Sequence, residues 1–314
     1  MSISAVPFEL SKQKSKMVKA IAIIFVIMSH TGTFPWGGLI GVHLFLITSG
    51  YGIYCSLENK KEHYWIKRIS SVYLPYLFCT VLFLLIRFFI LKESYNLIRI
   101  TVSFIGLDFG LNVDPTMWYI SYIFAYYFIA WTAFKLKSSQ QIANLFCLLS
   151  FGIITFMSYK YIAWHKGTVA WNYGFSFLIG MLLAKFRYDK EKENKILMCT
   201  LATVFSLGML TLLFSHEILI RFCMTLYIAV LLIGIVGYIK PHKVLLYRCL
   251  SYIGEKSYFM YLNEAFLISV LKPSGGGGKS TAIILTSSFI CAYLLEKIYI
   301  LIGDAFKSYY EMNR

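Results

Sequence analysis

The chain is built of long apolar runs separated by short polar or charged stretches. A membrane-spanning helix needs about 20 largely apolar residues. By that rule ten segments qualify: 18–35, 38–57, 73–91, 117–134, 142–159, 171–186, 196–214, 218–239, 257–271 and 281–302. The connections are brief, so residues 1–314 are expected to form a single transmembrane domain. The predicted class is an all-α, polytopic integral membrane protein. The first apolar run starts near Val18, and its end, Ser29-His30-Thr31-Gly32, does not resemble a small-residue cleavage site, so it reads as a retained span. Two further segments, 63–72 and 97–107, mix rings or aliphatics with cations, as helices lying on a membrane surface do. Pro75 is expected in the first turn of the third span, where a missing N–H costs little.

Charge sets the orientation. With the N-terminus inside, the inner segments hold twenty Lys and Arg and the outer ones six. Basic loops are retained on the cytoplasmic side, so both termini are expected there. This also accounts for the net charge of +15, and it leaves no soluble basic motif that would suggest nucleic acid. Composition agrees: 58% of residues are hydrophobic and only 14% charged, against about 25% charged in soluble domains. Disorder is excluded, because so apolar a chain collapses. The seven cysteines form no CxxC pair and lie nearly all in apolar runs, which makes them small core residues. The six histidines are scattered, with no second ligand at helix spacing, so no metal is expected.

An ionisable side chain inside a bilayer is costly, which makes each one a functional candidate. The first span has Lys19 and His30, eleven residues apart. That is three helical turns plus about 20°, so they share a face, separated by a rise of about 16 Å. Lys19 then sits at the inner interface with His30 near mid-membrane. Lys19 alone reads equally as a snorkelling anchor, and His30 as an interhelical hydrogen-bonding group. Imidazole is also the side chain best suited to move a proton near neutral pH.

Five segments together resemble the acyltransferase-3 family of membrane acyltransferases. Lys19 followed by ten mostly apolar residues and His30 resembles its first span, with Lys in place of the usual Arg. Gly41-Val-His-Leu-Phe-Leu-Ile-Thr-Ser-Gly50-Tyr looks like its second-span motif. Tyr64-Trp-Ile-Lys-Arg-Ile-Ser-Ser-Val-Tyr-Leu-Pro75-Tyr resembles its basic stretch before the third span. Trp118-Tyr-Ile-Ser and Ser257-Tyr-Phe-Met-Tyr-Leu-Asn263 resemble two later motifs. The chain departs from the family at Ser71, where a third cation is frequent, at His43, often acidic, and at Asn263, near a frequent second His.

The resemblance implies transfer of an acyl group, usually acetyl, from cytoplasmic acyl-CoA to a sugar hydroxyl at or beyond the membrane. In that reading acetyl-CoA is the donor, a cell-surface polysaccharide or its precursor the acceptor, and the plasma membrane the site of action. Lys67 and Arg68, with Lys19, Lys60 and Lys61, would hold the polyanionic coenzyme; a plain positive-inside loop explains the same residues. His30 would act as base, or first accept the acyl group itself. Glu264, roughly 12 Å into the ninth span, is the candidate partner for its imidazolium, unless it pairs with Arg221 or Lys256 for packing. Asn263 is a candidate to fix the tautomer. His43 either lines the acceptor entrance or packs between helices. Trp118 stacks a sugar or belongs to the aromatic belt, and Gly41, Ser49 and Gly50 read as close helix packing. Pro273-Ser-Gly-Gly-Gly-Gly-Lys279-Ser280 lacks the first glycine of a phosphate loop and reads as a flexible turn. The competing reading is a non-enzymatic carrier or exporter of a polysaccharide or lipid-linked glycan, since intramembrane ions also mark transport paths.

Overall fold

The structure, a computed structural model, describes residues 10–59, 63–106, 113–136, 150, 173, 175–185, 217–238, 245–271 and 278–312. Every extended element among them is helical: α1 (Lys12–His30), α2 (Gly37–Glu58), α3 (Tyr64–Arg68), α4 (Leu74–Phe89), α5 (Leu97–Ile105), α6 (Trp118–Lys135), α7 (Ser176–Lys185), α8 (Glu217–Tyr238), α9 (Leu245–Leu271) and α10 (Gly278–Met312). Among the described residues, three stretches are long and apolar enough to cross a membrane: Gly37–Glu58, Tyr64–Phe89 and Gly278–Ala305. The expected spans 142–159 and 196–214, and the glycine-rich turn over 272–277, lie outside the described residues.

Several boundaries differ from expectation for physical reasons. The first helix begins at Lys12 and ends on His30, not over 18–35. Gly32, at φ 77°, adopts the left-handed backbone that stops a helix, and Pro35 follows. The third span does not begin at residue 73. Residues 64–89 run on as one helix through a π turn, Ile69–Tyr73. Proline normally clashes with the carbonyl four residues back, and the wider π turn just before Pro75 accommodates it. The ninth and tenth spans are parts of longer helices of 27 and 35 residues. Charged residues such as Glu255 and Lys256 end an apolar run but do not end a helix, because backbone bonding is indifferent to polarity. The segment 97–107 does form a separate helix, α5, capped by the Asn96 side chain on Ile98 N (2.9 Å) and closed by Gly106 at φ 76°.

The residues gather into two compact units. The first comprises residues 1–29, 34–61 and 123–254. Its core joins Val18, Ala22, Ile40, Leu44, Ile47, Leu226, Val230 and Ile233. Helix α2 meets α7 at two glycines, each of which lies against the other helix's backbone: a Cβ on Gly50 would strike the Phe177 carbonyl oxygen, and one on Gly180 the Ile47 carbonyl oxygen. A Cβ on Gly41 would likewise strike the Ala22 carbonyl oxygen on α1. Small residues let helix backbones approach where lipid offers no hydrophobic drive to associate. Gly180→Val is therefore expected to cost at least about 1–3 kcal/mol, read as a lower unfolding temperature of the detergent-solubilised protein. An unchanged temperature would show that α7 does not need this contact. Lys14, buried, donates from Nζ to Gly237 O (2.5 Å), satisfying a carbonyl near the end of α8 as a cation at a helix C-terminus does.

The second unit comprises residues 30–33, 62–122 and 255–314. Its helices are tied by side-chain to backbone bonds. Tyr258 Oη donates to Val72 O (2.6 Å), Tyr73 Oη to Phe104 O (2.7 Å), and Tyr261 Oη to Thr116 O (2.6 Å). Asn263 and Ser288 lock α9 onto α10: Asn263 Nδ2 donates to Ser288 O (3.0 Å), and Ser288 Oγ returns a bond to Asn263 Oδ1 (2.7 Å).

Candidate functional site

The second unit brings together two of the three ionisable groups that stood out in the apolar runs, His30 and Glu264. His30 Nδ1 lies 2.7 Å from Glu264 Oε1. An ionised carboxylate only accepts, so with Glu264 ionised and the imidazole neutral, Nδ1 carries the proton and Nε2 is left with its lone pair. Glu264 is fully buried, with a side-chain exposure of 0%, while the His30 side chain is 37% exposed. One partner is thus shielded and the other reachable. The other Glu264 oxygen, Oε2, is buried without a hydrogen-bond partner in the structure, an arrangement that costs free energy.

Local structure fixes both members. His30 closes α1, where the helix dipole favours a positive charge. The turn that follows is pinned to α10: Thr31 Oγ1 meets Thr281 Oγ1 at 2.6 Å, and Thr33 Oγ1 also bonds to Thr281 Oγ1. Glu264 follows Asn263, whose amide is engaged with Ser288. Glu264 bonds to His30, whereas Lys256 pairs with Glu296.

The other candidates are placed as follows. Lys67 is exposed on α3, and Arg68, half-buried beside it, lies 5.7 Å from the centre of the Tyr64 ring. Lys19 is half-buried on α1, in the first unit. His43 is fully buried in that unit, between Ser176 Oγ (2.6 Å from Nδ1) and Thr225 Oγ1 (3.4 Å from Nε2), with its ring edge-on to Tyr173. That is the interhelical packing alternative for His43. Asn263 is turned to Ser288, and Nδ1 of His30 faces Glu264. Trp118 opens α6 with its ring edge-on to Tyr119 and Tyr122, and Tyr119 is edge-on to Tyr261. Among the described residues no group of three His, Cys, Asp or Glu is arranged to hold a metal.

Sequence reasoning passed over two neighbours, Asp114 and Arg87. Asp114 caps the short turn Pro115–Met117, its Oδ1 accepting from Thr116 N (2.9 Å) and Thr116 Oγ1 (2.6 Å). Burial pushes its carboxyl above the usual range, and the Thr116 bonds and the positive charges of Arg87 and His30 oppose that rise. Arg87 closes α4 and is bound by Glu93 (2.8 Å), Tyr95 (3.3 Å) and Ser269 (2.9 Å). Both line a partly open cleft in which the centres of water molecules have about 30 Å³ of room. The available signal was Asp-Pro-Thr at 114–116, a helix-start pattern; a carboxylate in a loop carries no burial cost to mark it.

The model of the acyltransferase-3 family, described as an acyltransferase domain, matches residues 15–297 of the chain. No curated protein and no solved structure matches it.

Proposed function

Because the chain belongs to the acyltransferase-3 family of membrane acyltransferases, we propose that it moves an acetyl group from acetyl-CoA to a hydroxyl of a cell-surface polysaccharide or its precursor. Membership sets aside the carrier reading. The observation that carries the proposal is the His30–Glu264 pair, an exposed imidazole oriented by a buried carboxylate.

The chemistry follows from that geometry. Nε2 accepts the proton of the acceptor hydroxyl as its oxygen attacks the thioester carbonyl. The new C–O bond forms, the C–S bond breaks, and the thiolate of coenzyme A takes the proton back from Nε2. Glu264 holds the ring in the tautomer that leaves Nε2 basic, and it stabilises the transient imidazolium, as the buried carboxylate of a hydrolase triad does. The position of His30 at the end of α1 adds a favourable helix dipole. On the donor side, Lys67 and Arg68 supply phosphate-binding charge near the start of the long apolar helix of residues 64–89. Lys19 contributes from α1. The ten-span topology with both termini cytoplasmic puts these cations on the side of the membrane where coenzyme A is found, and the plasma membrane is the compartment that offers a surface glycan.

The test is chemical. Surface glycan from cells with and without the gene, compared by mass spectrometry, should carry acetyl esters only when the gene is present. Equal ester content in the two samples would overturn the proposal.

A further inference from the structure

The cleft in the second unit is lined by Tyr76, Phe83, Met117 and Phe266, with Arg87 and Asp114 as its charged groups. The Phe83 and Phe266 rings are stacked, 4.4 Å between centres and 7° from parallel. The Arg87 guanidinium is neutralised by Glu93, bonds to Tyr95 and Ser269, and lies 5.4 Å from the centre of the Phe266 ring. Its charge is answered within the protein. Asp114 is different. Both of its hydrogen bonds fall on Oδ1 and come from Thr116, so Oδ2 accepts none among the described residues.

Asp114 is also tied to the catalytic pair. The carbonyl of Thr116 is held by Tyr261 Oη, three residues before Glu264 on α9. Residues three apart on a helix share a face. One helix face therefore carries Glu264 and anchors the turn that carries Asp114.

The combination of an apolar, aromatic wall with one carboxylate oxygen open to hydrogen bonding suits a ligand with an apolar face and hydroxyl donors. We propose that this cleft is the acceptor subsite for an uncharged sugar ring, in which Asp114 Oδ2 accepts a hydrogen bond from a hydroxyl neighbouring the one that is acylated. A carboxylated sugar would meet the Asp114 charge, while Arg87, the cation among the lining residues, is already paired with Glu93. This assignment rests on the acyltransferase reading and adds the binding residue and the charge class of the acceptor.

Asp114→Asn separates the possibilities. Asparagine keeps Oδ1, and with it the Thr116 cap, but places an NH2 group where Oδ2 stood. The full chain in proteoliposomes would be given acetyl-CoA and the cells' own surface glycan, stripped of esters by mild base. Losing a charge-assisted hydrogen bond should raise the acceptor KM about ten-fold or more, with the donor KM changed less than about two-fold. Asp114→Ser, which also caps a helical turn but is too short to reach the ligand, should do the same and serves if the asparagine variant folds poorly. The same glycan with its primary hydroxyls oxidised to carboxylates should be the poorer acceptor for the unmodified chain, and Asp114→Asn should narrow that gap. An unchanged acceptor KM, a fall in kcat alone, or an oxidised glycan that is acylated as well as the neutral one would overturn the subsite. A loss of all transfer by the unmodified chain would overturn the acyltransferase reading with it.

Discussion

Replacing His30 with alanine should lower acyl transfer by about 10²–10⁴-fold, the contribution of a positioned general base. The variant removes the imidazole that Glu264 Oε1 holds, and with it the proposed proton acceptor Nε2. The side chain is 37% exposed and closes a helix, so its truncation opens no core cavity, and the protein should reach the membrane at normal levels. The measurement is acetyl transfer per molecule in proteoliposomes, with membrane abundance as the control. Donor KM should change little, since the imidazole is proposed to act on the acceptor hydroxyl. Transfer within about three-fold of the parent, far short of that contribution, would remove His30 from the chemistry.

Glu264→Gln should cost about 10²-fold or more in kcat through a different route. The amide retains an oxygen able to accept from Nδ1, so the ring is still held, but the charge that stabilises the imidazolium is gone. The amide can also turn its NH2 toward Nδ1, which would select the tautomer that is protonated on Nε2 and useless as a base. Because the two residues act as a unit, the double variant His30→Ala with Glu264→Gln should be no slower than His30→Ala alone. Multiplying losses would show that Glu264 works independently of His30. The unfolding temperature provides the control, because Glu264 is fully buried and Oε2 has no partner to lose.

Different parts of the fold were legible to different degrees. The second span, 38–57, and helix α2, Gly37–Glu58, agree closely because Pro35 and the glycines at 37 and 38 punctuate one end of the apolar run and Glu58-Asn59 the other. The first span was read six residues late at its start, because Lys12, Lys14 and Lys16 are polar yet helical. Lys14 in fact spends its charge on a carbonyl of α8, 223 residues away. The π turn before Pro75 could not be seen in a hydrophobicity pattern, since it is a local rearrangement of backbone bonds. At the site, His30 and Glu264 stood out because each is an ionisable group in an apolar run. Asp114 did not stand out, because a carboxylate in a loop is ordinary until the fold brings a histidine to it.

The sequence by itself determined the helical membrane character, the family and the two unusual ionisable residues. Each of these depends on quantities local to the chain: transfer free energy, helical period and motif spacing. Tertiary structure alone decided that His30 meets Glu264 across 234 residues, that Asn263 turns to Ser288, and that Asp114 lines a cleft with Arg87 and Phe266. Hydrogen-bond partners are chosen within about 3 Å in space, and only the packing of helices distant in sequence sets which groups come that close.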